Sequence, residues 1–413
     1  MTAPTESRRG GLALILAATA IAGVCGYLLQ LLAPALIEEP SAYLAFSIFW
    51  STLYLFLAAI AGVQQEVTRA TRPAATPPGS TTLRTFTILG ALGLTVTAAA
   101  VGAVLAPTAF SEAPAVMTAA FALGLVGYLL TAVLSGVLYG LSQWRGIALL
   151  MTLDAVVRAA AVTVGLVARL DAGVLAILIS LPFSLAFGVG WLVVRGRVVG
   201  RFRLDVRAGR LTANAARTVG AAAATGVMVT GLPLLMRTLI PDADVVELAG
   251  LVLMITITRA PLVVPLMALQ SFLIVEFRDG AAAIGGRLLR LVGALVGATA
   301  VLALAAAVWG PWLIEIISSG RYHIESLTAA GVVVSGGLVA LLFLTGPALL
   351  AENRHGRYVA GWAVAAAATV AFLLVPLDTT PRVLLALLAA PALGAITHLT
   401  AIRTGHGATS RDD

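Results

Sequence analysis

The chain has no lysine: all 26 of its basic residues are arginine. Beside so much Ala, Val, Gly and Leu, that bias reads as the imprint of a GC-rich genome rather than of a function. One cysteine, Cys25, excludes an intramolecular disulfide and any cysteine-ligated metal cluster. It lies inside an apolar run, where it reads as a small buried hydrophobe. Charge is scarce as well. Only 11% of residues are charged against 60% hydrophobic, and the mean hydropathy is +1.01. A soluble domain cannot cover that composition with polar surface, so the surrounding solvent is lipid. The formal charge of +7 does not point to nucleic acid, because the charges lie between apolar runs and not along one face. His323, His355, His398 and His406 sit near the ends of apolar runs without metal-ligand spacing. There is no Walker loop and no nucleophile–base set, so neither a cofactor nor an enzymatic activity is expected.

The runs themselves are long enough to cross about 30 Å of hydrocarbon. They divide into twelve spans near 11–36, 42–63, 85–107, 114–141, 146–168, 172–194, 218–240, 247–275, 291–318, 326–350, 358–376 and 383–402. The fifth and sixth are joined only by Arg169, Leu170 and Asp171. Twenty arginines fall in one alternate set of connections, from Arg8 and Arg9 through Arg195–Arg217 to Arg411. The other set has Arg169, Arg321 and Arg382 and is acidic. Arginine-rich connections face the cytoplasm, which places both termini there, in the cytoplasmic membrane of a bacterium. Ser7-Arg8-Arg9 reads as the head of an uncleaved first helix. The stretch from Arg72 to Ser80, with Pro73, Pro77 and Pro78, reads as a flexible loop.

The longest and most basic connection, 195–217, has six spans on each side. The expected organisation is therefore a lobe over 1–194, a linker over 195–217 and a second lobe over 218–413. Six spans return the chain to the same side, so a duplication would be parallel. Ala61-Gly62-Val63-Gln64-Gln65-Glu66-Val67 at the end of the second span loosely matches Met267-Ala268-Leu269-Gln270-Ser271-Phe272-Leu273 at the end of the eighth. Two six-helix lobes around a central cavity are the architecture of a secondary transporter, which works by alternating access.

Two arginines lie deep inside spans. Arg158 is about twelve residues, roughly 18 Å, from the cytoplasmic end of the fifth. Asp154 stands one turn earlier, at a spacing that lets the two pair. Either the pair neutralises itself among neighbouring helices, or Asp154 orients a cationic site in a wet cavity. Arg259 lies at similar depth in the eighth span with no acid one turn away. Thr256 shares its face, and Pro261 and Pro265 follow, each inviting a kink. An unpaired arginine on a polar, kinked helix fits a cavity wall; the competing reading is a bond to backbone carbonyls of another helix. Ser47, Trp50, Ser51 and Tyr54 share a face of the second span and suit either sugar stacking or ordinary helix packing. Glu66 and Arg69 read as an interfacial pair.

Twelve spans, cytoplasmic termini, a basic central connection, and the run from Phe46-Ser47-Ile48-Phe49-Trp50-Ser51 to Gln64-Gln65-Glu66-Val67-Thr68-Arg69 together resemble the multidrug/oligosaccharidyl-lipid/polysaccharide (MOP) flippase superfamily. The branch resembled is that of polysaccharide-biosynthesis, O-antigen-exporter-like proteins. The resemblance implies an all-α fold of two six-helix bundles around a cavity that is often cationic. It also implies transfer of a polyprenyl-pyrophosphate-linked glycan across the membrane. Arg259, Arg158, Asp154, Trp50 and Tyr54 would then line the substrate path, with H+ or Na+ as a possible coupling ion and membrane lipids as surroundings. Three alternatives stay open. A drug exporter of the same superfamily needs an ion-coupling acid, for which Asp154 is the candidate. A major-facilitator transporter usually carries G-x-x-x-D-R-x-G-R, which GVQQEVTRATR at 62–72 lacks. A membrane-embedded glycosyltransferase or polymerase commonly needs a sizeable outer loop, and the outer connections here are short.

Overall fold

Apolar spans of this length have one way to satisfy their backbone in lipid, which is to close every hydrogen bond inside a helix. The computed structural model describes residues 8–74, 81–108, 110–279, 284–352 and 354–409, apart from some helical side chains, among them those at 260–262, 264–265 and 267–272. Among the described residues there are thirteen helices and one two-stranded ribbon. In chain order these are α1 (Arg8–Leu36), α2 (Pro40–Ala70), β1 (Thr71–Pro73), α3 (Thr81–Leu105), α4 (Pro114–Gly140), α5 (Trp144–Val167) and α6 (Ala172–Val198). Then come β2 (Phe202–Leu204), α7 (Ala208–Val229), α8 (Leu232–Leu239), α9 (Val245–Asp279), α10 (Ile284–Ile317), α11 (Ser326–Ala351), α12 (His355–Leu373) and α13 (Thr379–Thr409). Ten of these helices are long and apolar enough to cross a membrane among the described residues, and the pair α7–α8, bent by 74°, adds an eleventh where it is counted as one span. The eighth sequence span lies within α9. The protein is an all-α, multi-pass membrane protein.

The seventh span is two helices because Gly231-Leu232-Pro233 interrupts it. Gly231 caps α8 and Pro233 stands in its first turn, where a missing N–H costs nothing but cannot extend α7. The tight turn between the fifth and sixth spans forms as expected. Arg169 takes a left-handed conformation at φ 55°, and Asp171 caps α6 by accepting from the Val174 N–H at 3.0 Å. Several helices overrun their apolar spans at the arginine-rich ends: α2 to Ala70, α6 to Val198, α7 back to Ala208. Hydropathy ends where the chain turns polar, but arginine and glutamine are good helix formers and carry the helix onward.

The chain divides into two compact units, Met1–Glu38 with Ala45–Gly226, and Glu39–Leu44 with Val227–Asp413. In the first, α4 and α2 are central, with 72% and 61% of their apolar windows buried, whereas α1 and α3 bury 11% and 17%. Phe49, Phe56, Phe110 and Phe121 interlock at ring separations of 5.3–6.0 Å in its core. In the second, α11 is central and α10 peripheral. Leu89, Leu92 and Val96 of α3 and Val301, Leu304 and Val308 of α10 are exposed, the surface a lipid-facing helix presents. Trp309 and Trp312 are exposed near the end of α10, where amphipathic rings suit a membrane–water interface.

The basic connection is largely ordered. β2 pairs antiparallel with β1, setting Thr71 against Leu204, Arg72 against Arg203 and Pro73 against Phe202. Two arginines face each other across the ribbon, which costs stability by itself. Asp205 offsets that cost, lying 3.5 Å from Arg72 and 3.8 Å from Arg69. The expected loop from Arg72 therefore begins as a strand, and its positions 75–80 lie outside the described residues. Glu66 is more than half of a pair. Only 3% exposed, it takes two bonds from Arg69 at 2.7 and 2.8 Å and a third from Asn214 of α7 at 3.0 Å.

Just before this clasp α2 and α7 touch backbone to backbone. A Cβ on Gly62 would lie 2.5–2.7 Å from the Thr218 and Val219 backbone, and Thr218 Oγ1 donates to the Gly62 carbonyl at 2.8 Å. Backbone cannot step aside as a side chain can. Gly62→Ala should therefore destabilise the protein by about 2–3 kcal/mol, read as a fall in thermal midpoint in detergent.

Candidate functional site

Arg158 is fastened on every side. It is 3% exposed, inside the first unit. One guanidinium nitrogen bonds Asp154 and another donates to the Ile179 carbonyl of α6. Pro182 withdraws a backbone donor from that turn of α6. The guanidinium carbon lies 3.7 Å above the Phe183 ring and 5.9 Å from that of Tyr54. Tyr54 in turn stacks on Trp50, with centroids 4.7 Å apart and planes 9° from parallel. Four of the five residues singled out in the sequence, Asp154, Arg158, Tyr54 and Trp50, thus come together. Asp154 is 22% exposed, against 3% for Arg158. α4 and α6 approach closely beside them: a Cβ on Gly124 or Gly127 would strike Ser180 or Ser184.

Arg259 is held differently, within the second unit. It is 6% exposed, and one nitrogen, Nη1, donates to the Met228 carbonyl at 2.6 Å. Met228 is in the last turn of α7, where the break at Thr230-Gly231 leaves carbonyls without helical partners. Its sulfur accepts from Thr369 of α12 at 3.3 Å. Nε and Nη2 of Arg259 are buried and have no hydrogen-bond partner among the described residues. The bond to a carbonyl of another helix, one of the two competing readings of this arginine, is present, and no acid pairs with it among the described residues. Thr256 and Thr258 do not help the arginine, because their hydroxyls bond Val252 and Met254 of their own helix at 2.8 and 2.7 Å. α9 stays helical through positions 261 and 265, whose proline side chains lie outside the described residues, as does that of Gln270.

The geometry defines what the free edge can bind. In a guanidinium, Nε–H and the Nη–H beside it point the same way and form a two-pronged donor fork. With Nη1 occupied, the open prongs of Arg259 are Nε and Nη2, the fork that matches two oxygens of a carboxylate or phosphate. Sequence reasoning missed Phe183, the Ile179 carbonyl and Met228. A phenylalanine or a carbonyl that serves an arginine has no signal of its own in an apolar run. Among the described residues no group of three His, Cys, Asp or Glu side chains is placed to hold a metal.

Solved structures share this fold over nearly the whole chain. The lipid II flippase MurJ in an inward closed conformation superimposes with a TM-score of 0.66 at 9% identity, covering 93% of this chain and 87% of that one. An inward-facing multidrug resistance MATE transporter of the MOP superfamily gives 0.65 at 12% identity, covering 92% and 94%. A MOP superfamily transporter from Pyrococcus furiosus gives 0.62 at 12% identity, covering 95% of each chain. This is a polytopic membrane protein with the MOP transporter fold, so the resemblance read in the sequence holds at the level of the fold. No family model matches the chain. Two uncharacterized proteins of Mycobacterium tuberculosis (strain H37Rv) are 31% identical over 407 residues and 33% identical over 411, each match covering 95% of this chain and 92% of the relative. An uncharacterized protein of Mycobacterium bovis is 31% identical over 407 residues. The chain belongs to the family of these mycobacterial proteins.

Proposed function

We propose that the protein is a flippase-type transporter that moves a lipid-linked oligosaccharide or polysaccharide precursor across the cytoplasmic membrane by alternating access. The observation that carries this reading is the donor fork of Arg259, buried and without a hydrogen-bond partner among the described residues. Two N–H groups taken out of water without partners cost several kcal/mol together, a cost a protein sustains where a ligand fills them in use. A polyprenyl-pyrophosphate-linked glycan presents paired phosphoryl oxygens, and arginine binds these bidentately while holding its charge in a low-dielectric setting.

In this reading Arg259 receives the pyrophosphate. Within the first unit, Arg158, neutralised by Asp154, and Trp50 and Tyr54 beside it are the further residues proposed for substrate contact. Residues 1–194 and 218–413 act as the two lobes with 195–217 between them, both termini are cytoplasmic, and the protein performs no covalent chemistry. The MurJ likeness supports a lipid-linked cargo. The exporter alternative would use Asp154 as a coupling acid, but that carboxylate is engaged by Arg158, which favours the flippase.

The test is transport by the purified protein in proteoliposomes. A fluorescent polyprenyl-pyrophosphate sugar should become accessible to an external quencher in a protein-dependent manner, while the matching polyprenyl sugar without phosphate should not. Equal movement of both would remove the anion from the mechanism. Growth of the glycan chain during incubation would make the protein an enzyme.

A further inference from the structure

His398 lies near the end of its apolar span by sequence, about four residues or 6 Å before Ile402, yet its side chain is fully buried among α11, α12 and α13. The site is built around it. A Cβ on Gly361 of α12 would fall 2.1 Å from the ring, so the glycine lets the imidazole seat against the helix. Nε2 is 2.9 Å from the Tyr358 carbonyl, and Nδ1 is 2.9 Å from the Thr345 hydroxyl of α11. The Tyr358 ring lies near-parallel to the imidazole at 6.1 Å.

The two partners differ in kind. A carbonyl only accepts, so Nε2 carries a hydrogen in either charge state. A hydroxyl gives or takes. With a neutral ring, Thr345 donates its hydrogen to Nδ1. With a protonated ring, Nδ1–H donates to Thr345 Oγ1, and the hydroxyl hydrogen turns to the Leu341 carbonyl, already 2.8 Å away. That carbonyl has a second lone pair beyond the one used in the helix. Proton uptake therefore breaks no hydrogen bond and makes one more.

The charged surroundings are sparse. On the α12 side Arg354 donates to the Ala401 carbonyl, one turn from His398, and is itself 3.7 Å from Glu352. Tyr358 of that helix lies against the ring, and Arg357 beside it is exposed. α11 brings Leu342 and Thr345, and α9 brings the apolar Leu273 and Phe277 to the neighbouring cluster around Ala401 and Ile402. The side chains at 276, 355 and 403 lie outside the described residues.

We propose that His398, with Thr345 as its switching partner, is a reversible proton-binding site, and that the proton is the ion whose gradient drives transport. The binding site stands on its own geometry; the coupling rests on the flippase reading.

The chain has four histidines, so ring-15N labelling of the protein in nanodiscs gives few signals, and His398→Gln assigns the one of interest. The Nε2–H tautomer is expected at high pH, with one reversible change to imidazolium as pH falls while the protein stays folded. Thr345→Val should move that change about one pH unit or more toward acid, because the cation loses its acceptor, and Thr345→Ser should restore it. A ring that stays neutral throughout, or a transition that Thr345→Val leaves in place, would overturn the site. This titration needs no substrate, so it is decided even if no lipid-linked sugar moves. In proteoliposomes a pH gradient should change wild-type transport several-fold and leave His398→Gln unresponsive. Wild-type transport indifferent to the gradient would end the coupling role while the flippase reading stood.

Discussion

Arg259→Gln should lower transport of a pyrophosphate-linked sugar by about two orders of magnitude while leaving the protein as stable as before, or more so. The loss follows from removing a two-pronged, charge-assisted contact, which contributes about 2–4 kcal/mol where water is excluded, and 1.4 kcal/mol is a factor of ten. The stability result follows from the partners Arg259 lacks. Among the described residues it makes one bond, to the Met228 carbonyl, and buries two donors that make none. Glutamine ends two atoms short of the Met228 carbonyl and gives up that bond, but it removes the buried charge and the unfilled guanidinium donors with it. A residue that costs stability and is required for activity is the signature of a binding group. The check is initial flux in proteoliposomes beside thermal unfolding of the same preparation. Undiminished flux would remove Arg259 from the substrate path, and a large fall in thermal midpoint would make it a structural arginine.

Asp154→Ala should do the reverse, costing about 3 kcal/mol or more of stability. Arg158 is more deeply buried than its partner, 3% exposed against 22%. Losing the carboxylate strands a cation among Phe183, Tyr54 and the Ile179 carbonyl, and breaking a buried pair from one side is far costlier than replacing both members. The double replacement Asp154→Leu with Arg158→Leu should therefore recover most of the loss. Thermal unfolding of both single variants and the double variant gives the coupling directly. A double variant no better than Asp154→Ala would show that Arg158 is held by its ring and carbonyl contacts alone.

The two arginines were visible in the sequence as costs, because hydropathy marks any cation deep in an apolar run. Their difference was half visible. An acid at i−4 predicts the Arg158 pair, but nothing in the sequence near Arg259 names Met228, 31 positions earlier. That contact depends on the break in the α7–α8 span, which Gly231 and Pro233 explain once the helix ends are known. The turn at 169–171 was legible as the short polar break between two apolar runs, while its cap at Asp171 emerged only with the helix ends. The Glu66 clasp was read as a pair with Arg69, three residues away, while Asn214, 148 residues away, was invisible. His398 shows the same limit: its position along the span suggested a membrane surface, but burial is set by the helices around it. Periodicity and capping are local, whereas the chemistry of a site depends on what distant segments bring.

The β1–β2 ribbon bears on how the chain tolerates engineering. Read by hydropathy, 195–217 is the roomiest stretch for a reporter domain or purification tag. In the folded chain it is a short strand and two helix ends, pinned through Asp205, Arg69 and Asn214 to the end of α2. An insert there would prise apart a hydrogen-bonded pairing rather than lengthen a slack tether.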